Sequence, residues 1–505
     1  MDVDVVVAGA GPVGLLLAGE LAGAGVRVLV VERGSAEPQP LKEGEMGGRS
    51  INAPSASAMF QRGLLEEVRA AAFWWYTPEP PKEGEEPPFT GHFAGIPLRP
   101  ELIDPADPDL AGSAHGAGVL PIGAFERILA TYASSKGAEL RYDSPLTGFT
   151  QDAEGVTVEA AGRSIRAGWL VGCDGGRSTV RKLAGFEFPG ADPVWLSRQV
   201  LVDMDNPELL LPGGLHETET GSYILGGWER RLRPTRLMLM ESIELAQPPA
   251  DRDAPVTPEE IQAAVKRITG FDVTVTAIHA ASRFGDNTRQ ASTYRMDRVL
   301  IAGDAAHVHS PAGGQGMNTG IGDAMNLGWK LAATINGWAP EGLLDTYTSE
   351  RHPLGAWVQN WTMAQTALNR KDPHSLALHG IVGDLLNSTP GTMYVLKKIS
   401  GVANRIDLPG DHPRIGRVVP DLPLPDGTVA GQHVDSGHYL LIGQSRLIGQ
   451  GRLTGEPAGP YADLADRLRV LPIEAPGALL VRPDGHVALA SDEGLAEAEV
   501  RAHLS

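Results

Sequence analysis

Hydrophobic and polar positions alternate along this chain in a way that predicts a mixed α/β protein. Val3–Ala8 is a short, largely apolar run that suits a buried parallel strand. Gly9-Ala-Gly-Pro-Val-Gly14 follows, then a helical stretch, Leu15–Ala24, with Gly23 and Gly25 at its stop. Val26–Val31 predicts a second buried strand ending at Glu32, which completes a βαβ start. Residues 34–50 are polar and Gly-rich and predict a loop, and Ala56–Ala72 has helical spacing. Further on, the pattern predicts a helix at Phe125–Ser135, a strand at Glu139–Tyr142, a hairpin from Val156–Ala160 and Arg163–Ala167, and a strand at Trp169–Gly172. Strand-like runs at Gln199–Met204, Tyr223–Leu225 and Arg236–Glu241 surround a helix near Pro258–Ile268. Val299–Ala302 returns to a buried strand, and a long helical region runs from about Gly320 to Leu368. Pro409–Pro425 predicts a linker, and the remainder mixes short strands such as Tyr439–Ile442 and Ala478–Val481 with helix. There are no internal repeats, and the acidic, Pro-rich stretch 78–88 is the one biased segment.

Composition narrows the classes. The 505 residues carry a net charge of −19 with a pI near 5.2, so a phosphate backbone is an unsuitable partner. A hydrophobic content of 42% supports a sizeable core, and 62 Gly with 39 Pro point to many turns. A single cysteine, Cys173, excludes an intrachain disulfide and a multi-thiolate metal site. No basic leader or stretch of about 20 apolar residues is present, so a cytoplasmic protein without a membrane span is the expectation.

Three Gly-rich strand ends carry the candidate chemistry. In Gly9-x-Gly11-x-x-Gly14, Gly9 suits a tight strand-to-helix turn, Gly11 admits a diphosphate to the main chain, and Gly14 allows close helix packing. Glu32, at the end of the second strand, suits a ribose diol, where a lone acid would be merely solvated. The second is Gly172-Cys-Asp-Gly-Gly-Arg-Ser-Thr-Val-Arg181. There Asp174 and the glycines suit a diphosphate and Arg177 and Arg181 phosphates, or the segment is a capped helix start with solvated arginines. The third runs from Leu300-Ile-Ala-Gly-Asp304-Ala-Ala-His307 to Pro311-Ala-Gly-Gly-Gln-Gly-Met-Asn318. Asp304 is placed to hold a polyol hydroxyl, or to cap a helix, and the glycine turn opens a helix whose N–H groups favour negative charge. His307 and His309 read as partly buried polar residues rather than metal ligands, since no third ligand is in view. Cys173 reads as a packed strand residue.

These segments resemble the class A FAD-dependent aromatic hydroxylases, with the fold of para-hydroxybenzoate hydroxylase, and within them the hydroxylases of aromatic-polyketide (angucycline and anthracycline) antibiotic biosynthesis. Gly91-His-Phe-Ala-Gly-Ile-Pro97, Phe284–Gln290, Tyr347…Glu350-Arg-His-Pro353 and Leu480–His486 are similar to the same subgroup, and the likeness spans nearly the whole chain. It implies that Gly9, Gly11 and Gly14 cradle the FAD diphosphate, that Glu32 holds the adenosine ribose with Arg33 nearby, and that Leu146 gives the adenine a backbone contact. It further implies that Asp174 and Gly175 serve FAD and NAD(P)H, that Asp304 binds the ribityl chain, that Gly316, Met317 and Asn318 meet the flavin ring, and that Pro311 borders the reaction chamber as the catalytic position. No metal is implied. Two departures stand out. Ile122 occupies the position, four residues before Glu126, where the family often has Gln; and the family's FAD-contacting Arg would fall near Gly47, with Arg49 as the substitute.

The resemblance implies three units: a discontinuous Rossmann-like FAD-binding domain (1–75, 112–190 and 291–405), a sheet-containing substrate domain (76–111 and 191–290), and a small thioredoxin-like C-terminal domain (406–505). That last domain has no cysteine, so thiol redox chemistry there is excluded. The implied reaction is NADPH- or NADH-dependent monooxygenation of an aromatic polyketide by O2. Baeyer–Villiger insertion and epoxidation stay open on the same scaffold, as does a flavin-binding protein without turnover. Trp74, Trp75, Tyr76, Phe93, Tyr223 and Trp228 are candidates to line an apolar pocket, though core packing is the commoner fate of such residues. The pattern leaves the oligomeric state open.

Overall fold

The computed structural model describes residues 1–76, 91–111, 116–226, 234–246, 248–249, 251, 253–424, 426–443, 459–473 and 477–504. The stretch 78–88 and Trp228 lie outside them. The architecture is mixed α/β, as the pattern predicts.

A parallel sheet organises the molecule. Strand β1 (Val3–Ala8) leads through helix α1 (Pro12–Gly23) to β2 (Val28–Val31), and β3 (Glu139–Arg141), β4 (Arg163–Gly172) and β5 (Val299–Ile301) complete the order β5-β4-β1-β2-β3. Every neighbouring pair in this order is parallel. Their apolar side chains are sealed between helices, so β1 from Val5, β2 and β5 are buried throughout. The expected hairpin strand and the next strand form the single β4. Its first half pairs antiparallel with Val156–Ala160, and its second half pairs parallel with β1 and β5.

Helix α2 (Thr179–Ala184) follows β4, and α3 (Gln315–Asn336) follows β5 and packs on α1. The long helical region predicted to Leu368 is two helices, α3 and α4 (Thr346–Leu368), because Gly337 and Gly342 take positive φ of 79° and 80° between them. Gly63 similarly splits the predicted Ala56–Ala72 helix into Ala53–Gln61 and Leu65–Ala71. The predicted 34–50 loop contains a strand, Gly48–Ile51, which pairs with Ala117–Pro121.

A second, antiparallel sheet has Trp195–Asp205 between Thr235–Ser242 and Thr274–Gly285. Helix Pro258–Thr269 packs Ile261, Ala264, Val265 and Ile268 onto one face, against Val200, Val202, Leu237 and Leu239. The alternate residues Gln199, Leu201, Ile224, Met238 and Met240 are half-buried on the other face, and Gln199 donates from Nε2 to the Met46 carbonyl at 2.7 Å.

The C-terminal strands take the order Leu468–Pro472, Tyr439–Gly443, Ala478–Val481, Val487–Ser491. The first pair is parallel and the other two antiparallel, and helix Glu497–Leu504 follows, an order that suits the thioredoxin-like expectation. This unit shares a core with the rest: Trp329 of α3 packs among Tyr439, Leu441, Leu468 and Leu480. Buried ion pairs reinforce the seam. Arg62 bonds Glu20 and also the carbonyls of Val434 and Pro483, while Arg482 bonds Glu350 and Asp484.

Candidate functional site

Because the central strands run parallel, their carboxyl ends lie along one edge. The topology switches there, since β2 and β4 flank β1 on opposite sides, and such a crevice is where open α/β sheets take ligands. The three Gly-rich turns meet at this edge. Gly9 N–H donates to Val31 O at 2.8 Å, Cys173 N–H to Ala8 O at 2.8 Å, and Ala302 N–H to Gly172 O at 3.0 Å.

In the first turn each glycine has its own reason. Gly9 has φ of +112°, and a Cβ there would lie 2.4 Å from the Cys173 carbonyl oxygen. A Cβ on Gly14 would lie 2.0 Å from the Gly9 carbonyl oxygen. Around Gly11, by contrast, nothing lies within 4 Å of the Cβ position, and as the cap of α1 it offers no side chain to the first-turn N–H groups. Two glycines thus serve packing, and one leaves open space at a helix N-terminus. Glu32 accepts from Ala10 N–H at 2.8 Å and from Gly34 N–H at 2.7 Å, which fixes its carboxylate at the end of β2 with lone pairs to spare. Arg33 is exposed beside it. Leu146 begins a strand just after Ser144, whose N–H donates to the Glu32 carbonyl at 2.7 Å.

The second turn is a helix cap. Asp174 accepts from Ser178 Oγ, from Thr179 N–H at 2.6 Å and from Val180 N–H at 3.1 Å. Ser178 in turn accepts from Arg181 N–H at 2.9 Å. The Asp174 carboxylate is therefore committed to α2, and Gly175, with φ of +79°, makes the turn. The phosphate role is overturned for the buried Arg181. Arg177 pairs with the exposed Asp253. Arg181 is buried over the Phe188 ring and donates to the Ala305 and Gly176 carbonyls, each at 2.9 Å, so it ties the second turn to the third. The Cys173 thiol is pushed well up by burial, with Asp174 and Asp323 adding to the effect, which leaves it a packing group.

In the third turn Asp304 stands apart. It is exposed, Ala302 rather than Asp304 takes the cap position, and its carboxylate accepts no hydrogen bond from the described residues. The helix-cap alternative is excluded. Arg49 sits close enough to be held charged by Asp304 and Glu126, although displacement of water by the surrounding protein lowers its guanidinium pKa. Burial raises the Glu126 carboxyl, Lys42 at 2.9 Å opposes this, and the nearby Glu32 adds to it. Sequence reasoning missed Lys42 and Asp323. Asp323, on α3, accepts from Gly303 N–H at 3.0 Å, His307 Nε2 at 2.7 Å and Arg351 Nε at 2.8 Å, fixing the turn that presents Asp304. An acid within an apolar helical stretch was the one signal for it.

The glycine turn before α3 has Pro311 exposed and Gly313 and Gly314 at positive φ. A Cβ on Gly316 would lie 3.3 Å from His309 Nε2, and Met317 packs partly on the main core. The Asn318 side chain is fully engaged: Oδ1 accepts from Asn52 N–H at 2.9 Å, and Nδ2 donates to Ser50 O at 2.9 Å and Gly314 O at 3.0 Å. These bonds secure the glycine turn at the start of α3. Of the aromatic candidates, Phe93 packs 4.5 Å from Trp361, and Tyr223 is buried on the helix-covered face of the second sheet, so neither lines a pocket. Among the described residues no cluster has the makings of a metal site.

FAD fits what is present. Open space at Gly11 admits a diphosphate, a backbone-held carboxylate waits at Glu32, and a carboxylate that accepts no hydrogen bond from the described residues faces the edge at Asp304. The family comparisons agree. Residues 2–362 match the FAD binding domain family, and residues 412–505 match the aromatic-ring hydroxylase C-terminal family. The rifampicin monooxygenase of Streptomyces venezuelae is 38% identical over 97% of this chain and 96% of its own. The 12-dehydrotetracycline 5-monooxygenase/anhydrotetracycline 6-monooxygenase of Streptomyces rimosus is 38% identical over 96% of this chain and 95% of its own. The crystal structure of CabE, an aromatic hydroxylase from angucycline biosynthesis, superimposes with a TM-score of 0.80 at 32% identity, covering 98% and 97%. With this edge built for a dinucleotide and relatives matched over nearly full length, the chain belongs to the FAD-dependent aromatic-ring hydroxylases, a family of flavin monooxygenases.

Proposed function

We propose that this chain hydroxylates an aromatic polyketide, consuming NAD(P)H and O2. The observation that carries the reading is the Asp304 carboxylate, without a hydrogen-bond donor among the described residues, at an edge built, apart from Glu32, of backbone and glycine. Gly9–Gly14 and Glu32 would hold the diphosphate and adenosine of FAD, Asp304 the ribityl chain, and the backbone of Gly316, Met317 and Asn318 the ring. Bound FAD supplies the electron transfer and oxygen activation that no side chain can. The protein's part is placement and the exclusion of water. The apolar face of Leu201, Ile224, Met238 and Met240 suits a flat polycyclic ring, and Gln199 anchors that face over the 40–47 segment. The substrate class is supported by the relatives named for rifampicin and for tetracycline intermediates and by the aromatic hydroxylase from angucycline biosynthesis.

The test is direct. Acid precipitation should release FAD, not FMN, from the purified protein. A hydroxyanthraquinone should then stimulate NADPH or NADH oxidation and gain one oxygen atom with its rings intact. A ring-expanded lactone would identify Baeyer–Villiger insertion instead, and flavin binding without nicotinamide oxidation would identify a carrier.

A further inference from the structure

The Gly91–Pro97 segment has no role in the account above, yet it leads to one. His92–Phe93 and Ile96–Pro97 form a hairpin whose turn holds Ala94 at φ of 51° and Gly95 at 80°. Ala94 is a non-glycine residue in the left-handed region, and two helices hold it there. Gln365 Oε1 on α4 accepts its N–H at 3.1 Å, and His379 Nε2 bonds its carbonyl at 3.2 Å. That bond also fixes the orientation of the Gln365 amide, turning Nε2 toward the Pro311–Gly314 turn. A Cβ on Gly313 would lie 3.3 Å from Gln365 Nε2 and 4.0 Å from Trp361 Nε1.

Both N–H groups lack a partner among the described residues, although Gln365 is 1% exposed and Trp361 8%. The nearby Gly313 carbonyl accepts from Gln315 Nε2 at 3.0 Å and from neither of these two donors. The Trp361 ring is wedged 4.5 Å from Phe93 and 5.4 Å from Trp357, so it cannot swing away to find another acceptor. Buried donors left unpaired are costly, and a native site normally supplies the acceptor.

We propose that Trp361 Nε1 and Gln365 Nε2 are substrate-positioning donors that receive a quinone-type carbonyl oxygen of the aromatic substrate beside the Pro311–Gly314 turn. Two neutral N–H groups and no cation match a carbonyl better than a carboxylate or phosphate. The inference rests on the substrate class proposed above.

The test uses the FAD-loaded enzyme and two probes, 1-hydroxyanthraquinone and 1-hydroxyanthracene, whose dissociation constants are read from the change in flavin absorbance. The second probe has the same ring count and phenol but no carbonyl. Trp361→Phe keeps the ring packing and deletes one donor. Gln365→Glu keeps the oxygen that Ala94 needs and removes the amide donor. Each should weaken anthraquinone binding roughly threefold to tenfold, as loss of one hydrogen bond does, and leave the hydroxyanthracene unchanged. Equal loss for both probes would show a packing role, and unchanged affinity for both would show that water fills the site; either overturns the proposal. If neither probe binds the unsubstituted enzyme, the substrate class falls and the proposal falls with it, an outcome distinct from the other two.

Discussion

Asp174 and Asp304 look alike in sequence: each follows an apolar strand and a glycine. The fold gives them different work, because Asp174 has three donors to satisfy in α2 and Asp304 has none among the described residues. Asp304→Ala should therefore lower FAD affinity about tenfold to hundredfold, the value of a charge-assisted hydrogen bond of about 1.5–3 kcal/mol, with the melting of the apo form unchanged. Asp174→Ala should do the reverse, costing about 1 kcal/mol of apo stability as a lost cap does. Flavin titration beside thermal melting of both variants checks the pair. The residue type and its spacing are legible in the sequence; which nearby N–H groups the carboxylate serves depends on how α2 leaves its turn, and that is a tertiary matter. Asn318 makes the same point, since two of its three partners, at Ser50 and Asn52, lie in and just after a strand that reads in sequence as polar loop.

At the scale of the strand–turn–helix element, the three glycines of the first turn separate folding from binding. Gly14→Ala places a methyl 2.0 Å from the Gly9 carbonyl and should prevent the turn from forming, with loss of soluble protein. Gly11 has φ of −76°, which alanine adopts freely, and open space beyond. Gly11→Ala should therefore melt like the parent yet bind FAD more weakly, since its methyl enters the volume assigned to the diphosphate. Equal flavin retention in Gly11→Ala would remove the diphosphate from this turn. The element itself is legible because strand, glycines and helix are contiguous. The break between α3 and α4 was less so: Gly337 and Gly342 mark it, but apolar residues continue on both sides. The helices Pro373–Leu386 and Thr389–Ile399 escaped because they bury few side chains, so their apolar pattern carries little helical phase.

For the whole molecule, the C-terminal unit is more than an appendage. Removal from about Arg414 leaves all three Gly-rich turns in place, since they end at Asn318. The shared core at Trp329, the Arg62 bonds to the Val434 and Pro483 carbonyls and the Arg482–Glu350 pair predict aggregation of that truncation, because it exposes apolar surface and strips Glu350 of Arg482. A monodisperse truncated protein in size-exclusion chromatography would contradict this. The seam should also be acid-labile. Burial works against the Glu350 charge, but Arg482 and Lys330 outweigh it and hold its pKa at about 2. A carboxylate lowered in the fold stabilises it above the unfolded value, and that contribution is lost as pH falls from about 4.5 through 2. Melting temperature should drop across that window in the parent and drop less in Glu350→Gln. The Arg482–Glu350 pair could not be read from the sequence, since its members meet only when the two units dock.

The order of strands in the central sheet has one more consequence, for the chain as it is made. β4 borders β1 on one side and β5 on the other, yet β5 follows the whole antiparallel sheet in the sequence. A chain leaving the ribosome at about 5–20 residues per second thus carries the second half of β4 as an uncovered edge for on the order of ten seconds. Asp304 arrives only after β5, so the nascent protein cannot retain its flavin until its last sheet strand and the start of α3 have emerged. Ribosome-bound chains arrested before Val299 should stay colourless, and those released beyond α3 should be the first to gain a flavin spectrum.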